Sequence, residues 1–255
     1  MLKIRILGSG TSSGVPRIGN DWGDCDPNEP RNRRSRASVL VESETTRILV
    51  DTSPDMREQL NDAGVDRIDA VIWTHDHADH THGIDDLRQL FHIMRRPVDG
   101  FAHPQTIKRL HPRFEYVFAG GGGYRPTATL EELGSTRRIG DIDVIAVDQP
   151  HGDIFATGLR FEHHGKSIGY ATDFHDFTPD MRALYTGLDV WVVDALRRAP
   201  HPTHPHLDAV LEWIETCAPC RAALVHMDNS MDYATLSGSL PAGVEPGYDG
   251  LELMA

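Results

Sequence analysis

Seven residues in the first half of the chain, Thr74-His75-Asp76-His77-Ala78-Asp79-His80, hold three histidines and two carboxylates, with His75, His77, Asp79 and His80 in the spacing His-x-His-x-Asp-His. Imidazole nitrogens and carboxylate oxygens suit borderline divalent ions such as zinc, and hydrolases that use two ions hold them about 3.5–4 Å apart. So compact a run can serve both ions. In an extended segment His75 and His77 project to the same side, whereas Asp79 and His80 diverge onto a neighbouring ion if the chain turns there. The chemistry implied is hydrolysis by a water that metal ions acidify.

The elements around this run must position it. Residues 70–74, Ala-Val-Ile-Trp-Thr, form an apolar β-prone stretch, and residues 84–95 have the spacing of an amphipathic helix. The ligands therefore belong on a strand-to-helix loop, where rigid scaffolds usually carry active sites. Further strands are expected at 3–7, 37–42 and 47–50, with a helix at 55–63. Gly120-Gly121-Gly122-Gly123, flanked by Tyr116 and Tyr124, reads as a surface connection. Beyond it the alternation resumes, with strands at 143–147, 158–162, 167–171, 190–194 and 222–225 and a helix at 207–216. Two strand-rich halves with helices attached predict an α/β chain of two sheets packed face to face, helices outside, as one domain over residues 1–255.

Ligand-type residues recur at strand ends in the second half. His151 follows Val144-Ile145-Ala146-Val147-Asp148-Gln149-Pro150, Asp173 closes Ile168-Gly169-Tyr170-Ala171-Thr172, and His226 closes Ala222-Ala223-Leu224-Val225. Any one of them alone is more often a hydrogen-bonded structural residue, but three in the same relation to strands form a constellation.

Composition sets the bounds. With 39% apolar and 25% charged residues among 255, the chain can bury a full core. The net charge of −13 disfavours an extended nucleic-acid surface, which needs Lys and Arg to displace counterions. One basic run, Arg31-Asn32-Arg33-Arg34-Ser35-Arg36, opposes that sign; it reads equally as a solvated loop or an anion-contacting one, with Arg34 a candidate substrate contact. Gly8 to Gly14, with Ser12 and Ser13, offers backbone amides to a phosphate or a tight structural turn. The three cysteines, Cys25, Cys217 and Cys220, make no disulfide framework. With no membrane-length apolar stretch or signal pattern, a cytoplasmic location is expected.

The chain resembles the metallo-β-lactamase superfamily along nearly its whole length, carried by Thr74 to His80, His151-Gly152, Ala171-Thr172-Asp173 and His226. The resemblance implies an αββα sandwich with two metal ions at one sheet edge. One ion would be held by His75, His77 and His151, the other by Asp79, His80 and His226, with Asp173 between them. Asp51, in Leu49-Val50-Asp51-Thr52, would steady a ligand histidine.

A finer match, to phosphodiesterases that open phosphoribosyl 1,2-cyclic phosphate, lies in Gly8-Ser9-Gly10-Thr11-Ser12-Ser13-Gly14-Val15-Pro16, Asp194-Ala195-Leu196-Arg197, His201-Pro202-Thr203-His204 and Glu245-Pro246-Gly247-Tyr248-Asp249-Gly250. Transfer-RNA 3′-processing nucleases are cousins. This branch implies catalytic roles for Asp79 and His204, with His201 and His206 as rivals to His204 and as substrate contacts. Relatives carry a third, structural zinc on cysteines where this chain has Asn20, Trp22 and Cys25 and on a histidine where it has Asn229; that zinc is expected to be absent, with Trp22 packing in its place. The implied activity is a phosphodiesterase with two zinc or manganese ions and a bridging hydroxide, acting on a small cyclic phosphate or nucleotide-like ester. The alternatives are hydrolysis of an RNA end, a thioester or a lactam on the same fold, or non-catalytic nucleotide or metal binding. No membrane partner is expected, and a homodimer is left open.

Overall fold

A computed structural model describes all 255 residues. Seven strands make the first sheet: β1 (Lys3–Gly8), β2 (Ser38–Glu42), β3 (Arg47–Val50), β4 (Ala70–Trp73), β5 (Asp99–Ala102), β6 (Glu131–Glu132) and, from the far end of the chain, β14 (Glu252–Met254). The second sheet holds β7 (Thr136–Ile139), β8 (Ile142–His151), β9 (Ile154–His163), β10 (Lys166–Ala171), β11 (Val190–Asp194), β12 (Arg221–Val225) and β13 (Val244–Pro246). Their spatial orders are β14-β1-β2-β3-β4-β5-β6 and β13-β12-β11-β10-β9-β8-β7.

The central strands are apolar on both faces, which explains why their sequences run continuously hydrophobic instead of alternating. In β3, Ile48 and Val50 enter the core between the sheets while Leu49 turns outward; in β11, Val190 and Val192 point inward and Trp191 and Val193 outward. The inter-sheet core gathers 24 buried residues from both sheets, Val39, Ile72, Phe161 and Val225 among them. Outside the first sheet pack α1 (Met56–Asp62), the single-turn α2 (Ala78–Thr81), α3 (Leu87–Met94), α4 (Pro104–Arg113) and α5 (Glu115–Phe118). Outside the second lie α6 (Pro179–Tyr185), α7 (Leu207–Cys217) and α8 (Tyr233–Ser237). Each large apolar side chain so buried contributes roughly 1.5–3 kcal/mol over exposure. None of the helices is long and apolar enough to cross a membrane.

The pairing of the strands decides where the chemistry goes. β3, β4 and β5 run parallel, as do β10, β11 and β12. β8 is antiparallel to β9, which is antiparallel to β10, so β8 points the same way as β10. Residues at or just past the ends of these strands, Asp51, His75, His151, Asp173, Asp194 and His226, therefore emerge along one edge of the sandwich.

The architecture is the α/β sandwich expected, with differences in detail. The helix expected over 84–95 is a 3₁₀ turn, Ile84–Asp86, followed by α3, which ends at Arg95 in the left-handed conformation (φ 60°). The short strands expected at 143–147 and 158–162 are the ten-residue β8 and β9. β5, β6, β7, β13, β14, α2, α4, α5, α6 and α8 add to the sequence-based set.

Candidate metal centre

The metal-ligand loop is anchored before it begins. Where β4 ends, Thr74 donates its N–H to Asp51 Oδ1 at 2.7 Å and its hydroxyl to Asp51 Oδ2 at 2.8 Å. Asp51 is fully buried and sits at φ 65°, an αL conformation rare for any residue but glycine. Two arginines of α4 hold the loop from outside: Arg109 pairs with Asp76 at 3.2 Å, and Arg113 bonds both the Asp76 carboxylate and its carbonyl. After this irregular extended stretch, His77 stands at the entrance of α2, whose single turn carries Asp79 and His80 to the opposite side of the site.

Three overlapping groups of donor atoms result, one of them Asp173, His204 and His226 at the rim. Those of His75, His77, His151 and Asp173 lie within 4.8 Å of one another, and so do those of Asp79, His80 and His226. Asp173 faces both. Its Oδ1 is 3.8 Å from His75 Nε2 and 3.6 Å from His151 Nε2, while Oδ2 is 3.1 Å from His80 Nε2 and 3.5 Å from His226 Nε2.

Three of the histidines are held at Nδ1 so that Nε2 points inward. His75 bonds the Thr74 hydroxyl at 3.0 Å, His80 bonds Asp51 at 2.7 Å and His151 bonds the Thr203 carbonyl at 3.0 Å. Such anchoring fixes both tautomer and ring orientation in metal sites. His77 turns Nδ1 inward instead, 3.3 Å from His151 Nε2. The Nε2 atoms of His75, His80 and His226 are buried without any hydrogen-bond partner. An unmet buried polar group costs about 1–3 kcal/mol, and three converging on one carboxylate fit metal ions as the missing partners. A donor set of imidazole nitrogen and carboxylate oxygen suits borderline divalent metal ions.

The electrostatics of the metal-free site divide its histidines. Burial lowers the pKa values of His75 and His151 from the ordinary 6.5, that of His75 well below it. Burial also opposes charge on His80, but Asp173, Asp79 and Asp51 outweigh it and raise its pKa well above normal. In the same way burial of His226 is outweighed by Asp173 and Asp194, and its pKa is pushed up to about 9. The carboxylates answer in kind. Despite burial, the facing histidines hold Asp79 and Asp173 far below the usual carboxylate range.

His204 occupies the rim of the cluster. Its ring stacks on His226 with centroids 4.9 Å apart, its Nδ1 donates to Asp194 Oδ2 at 3.0 Å, and its Nε2 lies 3.8 Å from Asp173 Oδ1. Asp194, fully buried at the end of β11, also accepts the backbone N–H of Asp173 at 3.1 Å. His201 is one ring farther out, 5.2 Å from His204, with Nδ1 near the Thr203 amide. His206 is half-buried at the entrance of α7. Asp194, Thr74, Thr203 and the Arg109–Arg113 pair went unassigned by sequence reasoning. Asp194 alone carried a signal, being a strand-end aspartate like Asp51 and Asp173.

The glycine- and serine-rich turn lies beside His226, because Thr11 N–H bonds Met227 O at 3.2 Å and Met227 N–H bonds Ser9 O at 3.1 Å. Ser12 and Ser13 are exposed there. Asp249 holds the base of that turn, accepting from both the amide and the hydroxyl of Ser9 and of Ser35.

Arg34 must be corrected. It is 2% exposed and spends both terminal nitrogens on the carbonyls of Asp228 and Met231 and on Asn32 Oδ1, with Nε buried away from the surface where a substrate would lie. A charge with several carbonyl partners is stable inside, and the sequence could not show those partners. Nearby, Cys25 is buried against Arg34, Asn229 donates to Asp21, and half-buried Trp22 donates to Asn20 with the Arg33 guanidinium 5.2 Å above its ring.

A family model for the beta-lactamase superfamily domain matches residues 46–227. Among curated proteins, an octanoyltransferase of Porphyromonas gingivalis (strain ATCC BAA-308 / W83) is 30% identical, the match covering 98% of this chain and 51% of that one. The chain spans about half the length of the curated relatives it matches. Among solved structures, a diphosphatase from the PhnP family superposes with a TM-score of 0.91 at 33% identity, covering 100% of this chain and 98% of that one. Zn²⁺-bound PqqB from Methylobacterium extorquens shares the fold, with a TM-score of 0.77 at 19% identity over 99% and 100% of the two chains. Together with the two seven-stranded sheets and their ligand-bearing edge, these matches show that the chain belongs to the metallo-β-lactamase superfamily.

Proposed function

We propose that the chain is a metal-dependent phosphodiesterase acting on a small cyclic phosphate or nucleotide-like phosphate ester. His75, His77, His151 and Asp173 would hold one ion, and Asp79, His80 and His226, with the other oxygen of Asp173, would hold the second. Two zinc or manganese ions there would supply Lewis acidity toward phosphate oxygens and a water acidified toward neutrality.

The chain's own residues do the positioning. Asp51 and the Thr203 carbonyl keep His80 and His151 in the tautomer that presents Nε2. Asp194 fixes the backbone at Asp173 and the ring of His204 at once. Anchored through Nδ1, His204 presents Nε2 beside Asp173 at the rim, where a protonated ring hands its proton to a departing ester oxygen.

The observation that carries the proposal is this Asp194–His204 pair, an oriented proton donor beside the metal ligands. Similarity over the full chain to a diphosphatase supports phosphorus–oxygen chemistry. The test is a panel on zinc- or manganese-loaded protein: a bis-aryl phosphodiester, a thioester, a β-lactam and a precursor tRNA. Turnover of the phosphodiester is expected, and hydrolysis of the thioester alone refutes the proposal.

A further inference from the structure

At the edge of the sandwich opposite the metal centre, three turns meet. Glu44 lies in the turn joining β2 to β3, Asp141 in the turn joining β7 to β8, and His163 ends β9. The ten residues of β8 separate Asp141 from His151, a span of about 30 Å at roughly 3.3 Å per residue. One donor atom from each of Glu44, Asp141 and His163 falls within 4.8 Å of the others.

His163 gives this meeting its chemical sense. Its ring is 5% exposed, and Nδ1 bonds the Asp141 carbonyl at 2.9 Å, so a neutral ring carries its proton on Nδ1 and its lone pair on Nε2. Nε2 is buried, without a hydrogen-bond partner, and faces Glu44 Oε2 at 3.6 Å, while Glu44 Oε1 pairs with the Met1 ammonium and Asp141 Oδ2 lies 3.8 Å from Nδ1. A lone pair facing a carboxylate is repelled unless a cation lies between them. The spacing is too long for an N–H···O bond of about 2.7–3.2 Å. It suits two ligands each about 2.1 Å from one zinc ion, which stand about 3.4 Å apart at the tetrahedral angle. Similar spacings recur at the main centre, where His75, His151 and His226 stand 3.8, 3.6 and 3.5 Å from Asp173, with His80 closer at 3.1 Å.

The surroundings are built to keep these groups in place. The Ser43 hydroxyl donates to Asp141 Oδ1 at 2.6 Å, and the Asp141 amide donates to the Thr46 hydroxyl at 3.2 Å, locking the two turns together. Gly140, at φ 56°, has no room for a side chain, since a Cβ would fall 2.0 Å from Thr46 Oγ1. A cavity of about 240 Å³ opens beside His163, bordered by Asp141, Glu162, His164 and the Arg138–Asp143 ion pair.

We propose that Glu44, Asp141 and His163 form a further site for one divalent cation of the zinc class, which clasps the turns of the two sheets at the edge remote from the catalytic centre. One imidazole and two carboxylates, with solvent completing the shell, make an exchangeable site weaker than the main one.

The test titrates Zn²⁺ into chelator-stripped protein and reads bound equivalents and melting temperature, for the wild type, His163→Asn and Glu44→Gln. The wild type is expected to bind one equivalent more than either variant and to gain melting temperature with that weakest equivalent. Hydrolytic turnover, once the tighter sites are filled, stays unchanged in both. Glu44 is exposed, so Glu44→Gln decides the matter even if His163→Asn fails to fold. Equal stoichiometry in wild type and Glu44→Gln overturns the proposal, as does the same melting gain in both.

Discussion

Stripping the metal should invert the pH dependence of stability between pH 6.5 and 9. In the metal-free protein His226 is 1% exposed and its pKa stands at about 9, against 6.5 for an unfolded histidine. A folded-state pKa above the unfolded one means that the native protein binds the extra proton. The resulting stability is complete below pH 6.5 and is lost as pH rises through 9. At about 1.4 kcal/mol per pH unit the loss is about 3 kcal/mol, and His80, raised in the same direction, adds to it. His75 and His151 are lowered, so their effects fall below pH 6.5; the depressed carboxylates act only in acid. With metal bound the same imidazoles serve as neutral ligands, and stability is lost instead as pH falls and protons compete. Urea unfolding of stripped and zinc-reloaded protein from pH 6 to 9 measures both slopes. His226→Asn in the stripped form should lower the slope by about 1.4 kcal/mol per pH unit. A stripped protein whose stability is flat or rises over this range refutes the reasoning.

Three further outcomes are expected. His204→Ala keeps its bound metal but loses about 10²–10⁴-fold in turnover, measured as kcat alongside metal content; parallel loss of an ion would make His204 a ligand instead. Asp51→Ala strands the Thr74 amide and hydroxyl and His80 Nδ1, and weakens metal binding about 10–100-fold in a chelator competition. Arg34→Ala orphans the carbonyls of Asp228 and Met231 and costs about 3 kcal/mol by chemical denaturation, yet leaves KM for the phosphodiester unchanged.

The sequence discloses buried strands and ligands well, and partnership poorly. β3 and β11 lie within the bounds expected, because strands covered on both faces read as unbroken apolar runs. β5 escapes notice since Gly100 interrupts it, and only the structure shows why: a Cβ there would lie 2.2 Å from the Thr129 carbonyl and 2.7 Å from the Trp73 ring. α4 is masked by Pro104 and Pro112, the first a favoured helix start and the second a helix breaker tolerated near the end. β6, with two exposed glutamates, has no apolar signal at all. At the site, the candidate ligands were legible from residue type and strand-end position. Asp194 was not singled out, because its importance lies in two simultaneous hydrogen bonds, and Arg34 was misread because the carbonyls that receive it come from residues almost 200 positions away.

The centre is composite, drawing Asp51 and the loop from His75 to His80 out of one sheet, and His151, Asp173 and His226 out of the other. A nascent chain thus has no complete ion-binding constellation until position 226 has left the ribosome and both layers have docked. On the proposed function, competence to hold both ions would in this sense be a readout of finished assembly.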